Sequence, residues 1–307
     1  MEIHGRALNM KKTSRLLSIF LVLLLFDLTA YTQHALSQSQ KCFLWRVQSK
    51  TSTVYLLGSI HIFKKEGYPL NRKIENAFDQ SDILAVEANI ADTGKMDVQR
   101  LMEIAFYPEN ETLGKHVSKE TYELVKKELG GSGIALELIN KQKPWFLSAT
   151  LASLELLKLG YDPDSGIDMY FLSKAQGKKR IIELEGLDDQ LNLLSRLSDQ
   201  DQELFLLYTV KDLDILGREM DRLIHAWSSG DTKGVEAIMT KSVNEDRRFS
   251  SLYEKLIYER NRNMASRIED LLRGNETYFV IVGAGHLVGD KGMIERLKEK
   301  GYLIEQL

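Results

Sequence analysis

Two short turns carry the residues best suited to metal chemistry. Gly58 to His61 and Gly283 to His286 share the pattern Gly-x-x-His, and an apolar run precedes each turn. A neutral imidazole is a strong ligand for transition metals. Ligands in open α/β sheets bind at the carboxyl ends of strands, so strand-end histidines lie where sites form. A lone strand-end histidine more often caps or packs, and the hypothesis therefore depends on the matched pair.

Two histidines do not complete the coordination of a metal ion, so further ligands are needed. Acidic residues that also follow predicted strands are the candidates. Glu87 and Glu185 each end an apolar run. A charge at a strand exit is often merely solvated, but two histidines with one carboxylate form a facial ligand set that keeps open positions. That set favours iron, manganese or cobalt over a closed structural zinc site, with zinc as a further option. The second glutamate would be a ligand or the base that activates water.

A long helical stretch, roughly 251–272, places polar residues within an apolar face. Tyr253, Ile257 and Met264 share that face with Arg260 and Asn261. One interpretation is an arginine that snorkels and pairs with a neighbouring acid. The other places Arg260 over a developing oxyanion or a carboxylate ligand.

Further residues are expected to support the turns. Asp168 follows the segment Asp162 to Gly166, which we interpret as a turn between helices, and is expected to cap a helix or to orient a ligand. Gly58, Gly283 and Gly285 are expected to provide positive φ or close backbone approach.

The order of elements predicts an α/β fold with a central mixed β-sheet flanked by helices. Apolar or β-branched runs indicate strands. These runs are 43–47, 53–57, 83–86, 181–185 and 278–282, with an edge strand near 302–304. Helical periodicity dominates a middle insertion at about 95–275 and returns after about Lys291. We expect one domain over 41–307.

Composition excludes some classes of protein. The 307 residues are 43% hydrophobic and 28% charged, which is typical of a folded protein. A formal net charge of -3 without a basic stripe gives no case for nucleic-acid binding. Cys42 is the only cysteine, so no intramolecular disulfide forms, and the polar approach to it argues against lipidation.

The N-terminus resembles a secretory signal peptide over 1–37. Lys11 and Lys12 precede an apolar run from Leu16 to Phe26, and Met10 is an alternative start. The run is shorter than the ~20 residues of a spanning helix, although an uncleaved leader would anchor the protein. We therefore expect export to the periplasm or outside the cell, with membrane contact only through a retained leader.

An ordered set of motifs resembles the TraB/GumN family over nearly all of 43–307. The motifs are Tyr55-Leu56-Leu57-Gly58-Ser59-Ile60-His61, Glu87, Lys143-Pro144-Trp145, Gly166-Ile167-Asp168, Leu184-Glu185 with Gln190, Glu259-Arg260-Asn261 and Val282-Gly283-Ala284-Gly285-His286-Leu287-Val288-Gly289. The resemblance implies the fold shared with Tiki-type proteases, erythromycin-esterase-like enzymes and ChaN-like haem-binding proteins. It also implies a metal-dependent protease site, with manganese or cobalt, at His61, His286 and Glu87.

The sequence therefore predicts an exported metal-dependent hydrolase, most nearly a peptidase, that acts on a peptide or small molecule. His61, Glu87 and His286 would hold the metal, Glu185 would act as base or further ligand, and Arg260 would stabilise the tetrahedral intermediate, with Asn261 beside it. One alternative is a binding protein that sequesters haem, metal or a peptide without turnover. Another is an accessory factor for export of polysaccharide or peptide signals.

Overall fold

The described part of the chain comprises residues 41–92, 94, 97–129 and 136–307 of a computed structural model. The expected signal peptide at 1–37 and the alternative start at Met10 lie outside these residues. Residues 42–307 form one compact unit. Within the described ranges, no helix combines the length and apolar character that crossing a membrane requires.

Six strands of the described chain form one mixed sheet. They are β1 (Leu44–Gln48), β2 (Thr53–Ser59), β3 (Ile83–Val86), β4 (Arg180–Glu183), β5 (Thr277–Gly283) and β6 (Leu303–Gln306), in the spatial order β4-β3-β5-β2-β1-β6. The predicted α/β class and mixed sheet are confirmed. β1 is antiparallel to β2 and β6, whereas β2, β5, β3 and β4 run parallel. Every residue of β3 is buried, as its wholly apolar sequence requires.

Helices fill the intervals between the strands. Those of the described residues are α1 (Arg72–Asp79), α2 (Val98–Ala105), α3 (Leu113–His116), α4 (Lys119–Leu129), α5 (Leu136–Asn140), α6 (Pro144–Lys158), α7 (Ile167–Ala175), α8 (Leu187–Ser195), α9 (Asp199–Ser228), α10 (Thr232–Met239), α11 (Lys241–Glu245), α12 (Phe249–Tyr253), α13 (Arg260–Leu272) and α14 (Met293–Glu299). Short 3₁₀ turns cover Lys65–Gly67, Pro163–Ser165 and Ala284–His286.

Three clusters of buried side chains are present among the described residues. The largest surrounds the sheet and includes Phe78 of α1, Phe171 of α7 and Ile268 of α13. A second joins helices α4, α6 and α9 through Val125, Leu147 and other aliphatic side chains. A third, smaller one packs the start of α9 against α12. The middle of the chain is thus stabilised partly by its own apolar contacts.

The stretch expected as one helix over 251–272 is interrupted. α12 gives way to a π-helix over Glu254–Glu259, and α13 begins at Arg260. A π-helix widens the turn and changes which side chains share a face, and such segments occur often at functional sites. The apolar residues expected on one helical face therefore have different environments. Met264 and Ile268 are buried in the core, whereas Ile257 lines a cavity.

Parallel pairing brings the ends of four strands to one edge of the sheet. β2 ends at Ser59, β5 at Gly283, β3 at Val86 and β4 at Glu183, and the registers place these ends alongside one another. Both Gly-x-x-His turns, and both glutamates that come after strands, lie at this edge. The topology thus delivers the candidate residues to the location where open α/β sheets bind ligands.

Candidate active site

His61 leaves the end of β2 and is held by a carboxylate. Its Nδ1 lies 2.8 Å from Asp168 Oδ2, and Ser59 donates its hydroxyl proton to Asp168 Oδ1 at 3.0 Å. Burial alone would lower the pKa of His61, but the Asp168 carboxylate outweighs it and raises the pKa to about 9. The side chain is 57% exposed, so water screens part of this attraction, and the direction rests on the short contact with Asp168.

His286 sits at the equivalent place after β5 but is buried. Its Nδ1 is 2.7 Å from Asn261 Oδ1, and the Asn261 amide donates in turn to the Lys291 carbonyl at 2.9 Å. That second bond directs the amide oxygen at the ring, so Nδ1 carries the proton and Nε2 does not. Burial lowers the pKa of His286 to about 4, which leaves the imidazole neutral at pH 7.

Glu87 lies between the two histidines. Its Oε1 accepts a bond from the Gly283 N–H at 2.6 Å and stands 3.8 Å from His286 Nε2, while Oε2 pairs with Arg260 at 2.5 Å. Burial would raise the pKa of Glu87, but positive neighbours and the Gly283 N–H lower it to about 2. A neutral His286 cannot supply positive charge at pH 7, so we attribute the lowered pKa of Glu87 to the charged His61, to Arg260 and to the Gly283 N–H.

Gly283 marks the point on which the three side chains converge. A β-carbon at this position would lie 3.1 Å from His61 Nε2, 3.5 Å from Glu87 Oε1 and 3.5 Å from His286 Cδ2. His61, Glu87 and His286 therefore lie together at one edge of the sheet. Glycine is needed here because any side chain would fill the space that the three groups share.

The glycines act through close approach and not through positive φ. Gly58, Gly283 and Gly285 are absent from the described glycines with positive φ. A β-carbon on Gly58 would lie 2.5 Å from the Phe43 ring, and one on Gly285 would lie 2.5 Å from the flexible end of Met239. Of the two reasons expected for these glycines, only close contact applies.

Arg260 links Glu87 to Glu185. Its Nε and Nη2 donate to the Glu185 carboxylate at 3.1 and 2.7 Å, and Gln190 donates to both glutamates, at 3.1 Å to Glu87 and 3.3 Å to Glu185. Only 17% of the arginine side chain is exposed. The pairing with an acid that the first interpretation expected is present, but the guanidinium is largely buried between two carboxylates and does not extend into solvent.

Asp168 does not cap α7. Gly166 occupies the N-cap position, and the Asp168 side chain turns to His61 and Ser59. Of the two roles expected for Asp168, orientation of a histidine is the one that its contacts support. A β-carbon on Gly166 would collide with the His61 carbonyl, so the α7 turn and the histidine turn are in direct contact.

A cavity of about 350 Å³ opens beside the site. His61, Arg260 and His286 line one side of it. Aliphatic and thioether side chains line the remainder, among them Met220 and Leu223 of α9. The Trp227 indole N–H donates to the Gly58 carbonyl at 2.6 Å, which fixes α9 against the first histidine turn.

Among the described residues, no group of three or more His, Cys, Asp or Glu side chains is arranged so that it could hold a metal ion as it stands. The donors nevertheless fit an open metal site. Each histidine uses Nδ1 for an outer partner, as metal-binding histidines do. The Nε2 of His286 is therefore available to a metal, and that of His61 becomes available once the ring releases a proton. An unprotonated His286 Nε2 facing the Glu87 carboxylate at 3.8 Å is an arrangement that a cation would stabilise.

Sequence reasoning identified the principal residues of this cluster and missed some of the contacts that hold it. Ser59 donates to Asp168, a contact between residues 109 positions apart that no local sequence pattern indicates. Trp227 was not singled out, because an indole bond to a carbonyl 169 residues away leaves no local pattern. His116 stacks on Tyr107 and contacts Glu111, outside this site.

Comparison with known proteins adds a family and several relatives. The family model described as "TraB/PrgY/gumN family" matches residues 43–306. "Uncharacterized protein YbaP" of Escherichia coli (strain K12) is 26% identical over 245 residues, which cover 80% of this chain and 87% of that relative. No solved structure matches the chain.

Animal proteins named as metalloproteases also match. "Metalloprotease TIKI homolog" of Amphimedon queenslandica is 24% identical over 88% of this chain and 62% of its own length. "Metalloprotease TIKI1" of Xenopus tropicalis is 22% identical over 86% of this chain and 61% of its own length. The chain therefore spans less than two thirds of these relatives.

Proposed function

Because the chain belongs to the TraB/PrgY/gumN family, we propose that it is a metal-dependent hydrolase, most nearly a peptidase, whose site contains His61, Glu87 and His286. The carrying observation is that His61 Nε2, Glu87 Oε1 and the His286 ring surround one point at Gly283. The names of the TIKI relatives point to the same chemistry.

His61, His286 and Glu87 would hold the ion. A divalent metal in such a site lowers the pKa of water and polarises a carbonyl group. Manganese, cobalt or iron suits two imidazoles and a carboxylate with open positions, and zinc is also compatible. Asn261 keeps His286 in the tautomer that leaves Nε2 free, and Asp168 holds Nδ1 of His61 so that its Nε2 would face the ion after losing a proton.

Arg260 is positioned to contact both the glutamates of the site and a substrate in the cavity. It lines the cavity and at the same time pairs with Glu87 and Glu185. Nε and Nη2 are engaged with the two glutamates, so Nη1, which donates to the Leu256 carbonyl, would be the group that serves negative charge on a carbonyl oxygen in the cavity. Glu185 remains our candidate for a base or further ligand, although its contacts favour a third role, that of holding Arg260.

Metal content is the first test. We expect the purified protein to contain close to one equivalent of metal by plasma mass spectrometry, and His61→Ala or His286→Ala to lose most of it. Glu111→Ala, which changes a carboxylate beside the distant His116, is the matched control and should retain the metal. Wild-type metal content in both histidine variants would contradict the assignment.

Turnover is the second test. We expect chelator-sensitive cleavage of a peptide library, restored by added manganese or cobalt. Stoichiometric metal without any cleavage would instead favour the alternative of a binding protein, and a Soret band on haem titration would identify haem as its ligand.

Export remains part of the proposal. The apolar run from Leu16 to Phe26 supports it, with the periplasm or the exterior of the cell as destination. Fractionation of cells that express the full chain, with mass determination of the mature N-terminus, tests both export and cleavage near residue 37. Recovery of the intact chain in the cytoplasm would contradict it.

A further inference from the structure

The cavity beside the histidines is lined by two chemically different groups of residues. One group contains His61, His286 and Arg260. The other, the apolar wall, is made of unbranched or aliphatic side chains from five separate segments: the turn after β2, α6, α9, α10 and the π-helix. The wall residues are Ile62, Leu156, Met220, Leu223, Met239 and Ile257. A wall of this composition offers no hydrogen-bond partner to a polar group, whereas it gains from burying an apolar one.

The size of the cavity suits a side chain and not a whole folded partner. Its volume of about 350 Å³ is near the lower end of the ~300–1,000 Å³ typical of small-ligand sites. Two of the six wall residues are methionines, whose flexible thioethers adapt to occupants of different outline. Met239 reaches Gly285 of the second histidine turn, so the apolar wall adjoins the reacting groups.

Arg260 separates this cavity from a polar one. The same arginine lines a second space of about 160 Å³ together with Glu185, Gln190 and Lys255. A ligand that spans the site would therefore have an apolar group on one side of the arginine and polar groups on the other. A peptide with one large apolar side chain has that character.

We propose that the apolar cavity is the specificity subsite for a large apolar side chain, such as Met, Leu or Phe, of a peptide cleaved next to that residue. The proposal rests on the proposed function and names its substrate class. Binding of the side chain would place the adjoining carbonyl near His61, His286 and Arg260. Charged side chains would be rejected because the wall cannot compensate their desolvation.

Peptide pairs that differ at a single residue test the proposal. Metal-loaded protein should cleave next to Met, Leu or Phe, and replacement of that residue by Ser or Asp should lower kcat/KM by about tenfold or more. Cleavage without such a preference would overturn the subsite while leaving the hydrolase proposal intact.

Variants at Leu223 provide the structural test. Leu223→Lys should lower kcat/KM for the Met peptide by roughly 100-fold and improve the Asp peptide relative to it. Leu223→Ala, which enlarges the cavity and is less disruptive to folding, should shift preference from Met towards Phe. Leu157→Lys is the matched control, because Leu157 is 50% exposed and lies beside the wall residue Leu156. An unchanged preference in both Leu223 variants would overturn the proposal.

A binding measurement separates the subsite from catalysis. Calorimetric titration of N-acetyl-methionine amide should give binding that N-acetyl-serine amide does not match and that Leu223→Lys weakens about tenfold or more. This result would support the subsite even if metal and cleavage were absent. Saturable binding of octanoate without binding of the methionine amide would overturn the proposal in favour of an acyl chain.

Discussion

The two histidine turns have the same spacing and equivalent strand ends, yet their imidazoles experience opposite electrostatics. His61 is 57% exposed and contacts a carboxylate, whereas the His286 side chain is 6% exposed and contacts an amide. The pKa of His61 is accordingly raised to about 9 and that of His286 lowered to about 4. The motif fixes the position of each ring, and the partner of Nδ1 together with burial fixes its charge.

The largest effect is expected at Arg260, whose charge both histidines face. Arg260→Ala would leave Glu87 and Glu185 without their cation, at a cost of about 3–5 kcal/mol in the free energy of unfolding. Arg262→Ala, on the same helix, loses partly exposed ion pairs and should cost only ~0–1 kcal/mol. Denaturant unfolding of both variants measures the difference, and equal losses would show that the buried pairs are unimportant.

Exchanging the residues that contact Nδ1 should shift the pKa of each histidine towards that of the other. Asp168→Asn removes the charge beside His61, so the pKa of His61 should fall from about 9 towards its ordinary value of 6.5 or below. Asn261→Asp should raise the pKa of His286 above 4. Titration of the imidazole C–H resonances in metal-free protein measures both changes.

Asp164→Asn, an exposed carboxyl four residues from Asp168, is the control for that exchange. It should leave the pKa of His61 unchanged. A pKa of His61 that stays near 9 in Asp168→Asn would contradict the role assigned to the carboxylate.

Metal affinity should depend on pH through His61. Because its pKa is raised to about 9, the ring is protonated below that pH and must release a proton to bind metal. Affinity should rise by about tenfold for each pH unit up to about 9 and then level off. In Asp168→Asn the rise should end at lower pH. Titration with cobalt at several pH values checks this, and a flat profile in wild type would refute it.

The smallest effect is expected for Ser59→Ala. The variant removes one hydrogen bond to Asp168, which should cost about 1 kcal/mol in the free energy of unfolding. Metal content should stay close to that of wild type, because His61 keeps its own contact with Asp168. Loss of metal equal to that in His61→Ala would mean that Ser59 has a direct role.

These contrasts separate what the sequence could predict from what it could not. Strand-end His61, Glu87 and His286 were predictable because the carboxyl ends of parallel strands share one edge. The bond of Arg260 to Glu185 joins residues 75 positions apart and leaves no periodic trace. The opposite charge states of the histidines follow from such long-range partners, so identical motifs gave no indication of them.

The π-helix before Arg260 was also beyond sequence reasoning. Helical periodicity over 251–272 predicted one continuous face, and nothing local marked Glu254–Glu259 as a wider turn. The segment precedes both Arg260 and Asn261, the residues that contact Glu87 and His286. A regular helical pattern does not reveal the tertiary contacts that this segment makes at the sheet edge.

The most direct measurement is X-ray absorption spectroscopy of protein loaded with one equivalent of cobalt or manganese. The account predicts scattering from two imidazole nitrogens and a carboxylate oxygen at about 2.0–2.2 Å, with imidazole scattering reduced in both His61→Ala and His286→Ala. A bound metal whose spectrum shows no imidazole, or is unchanged in the two variants, would contradict the claim that the paired turns form one metal site.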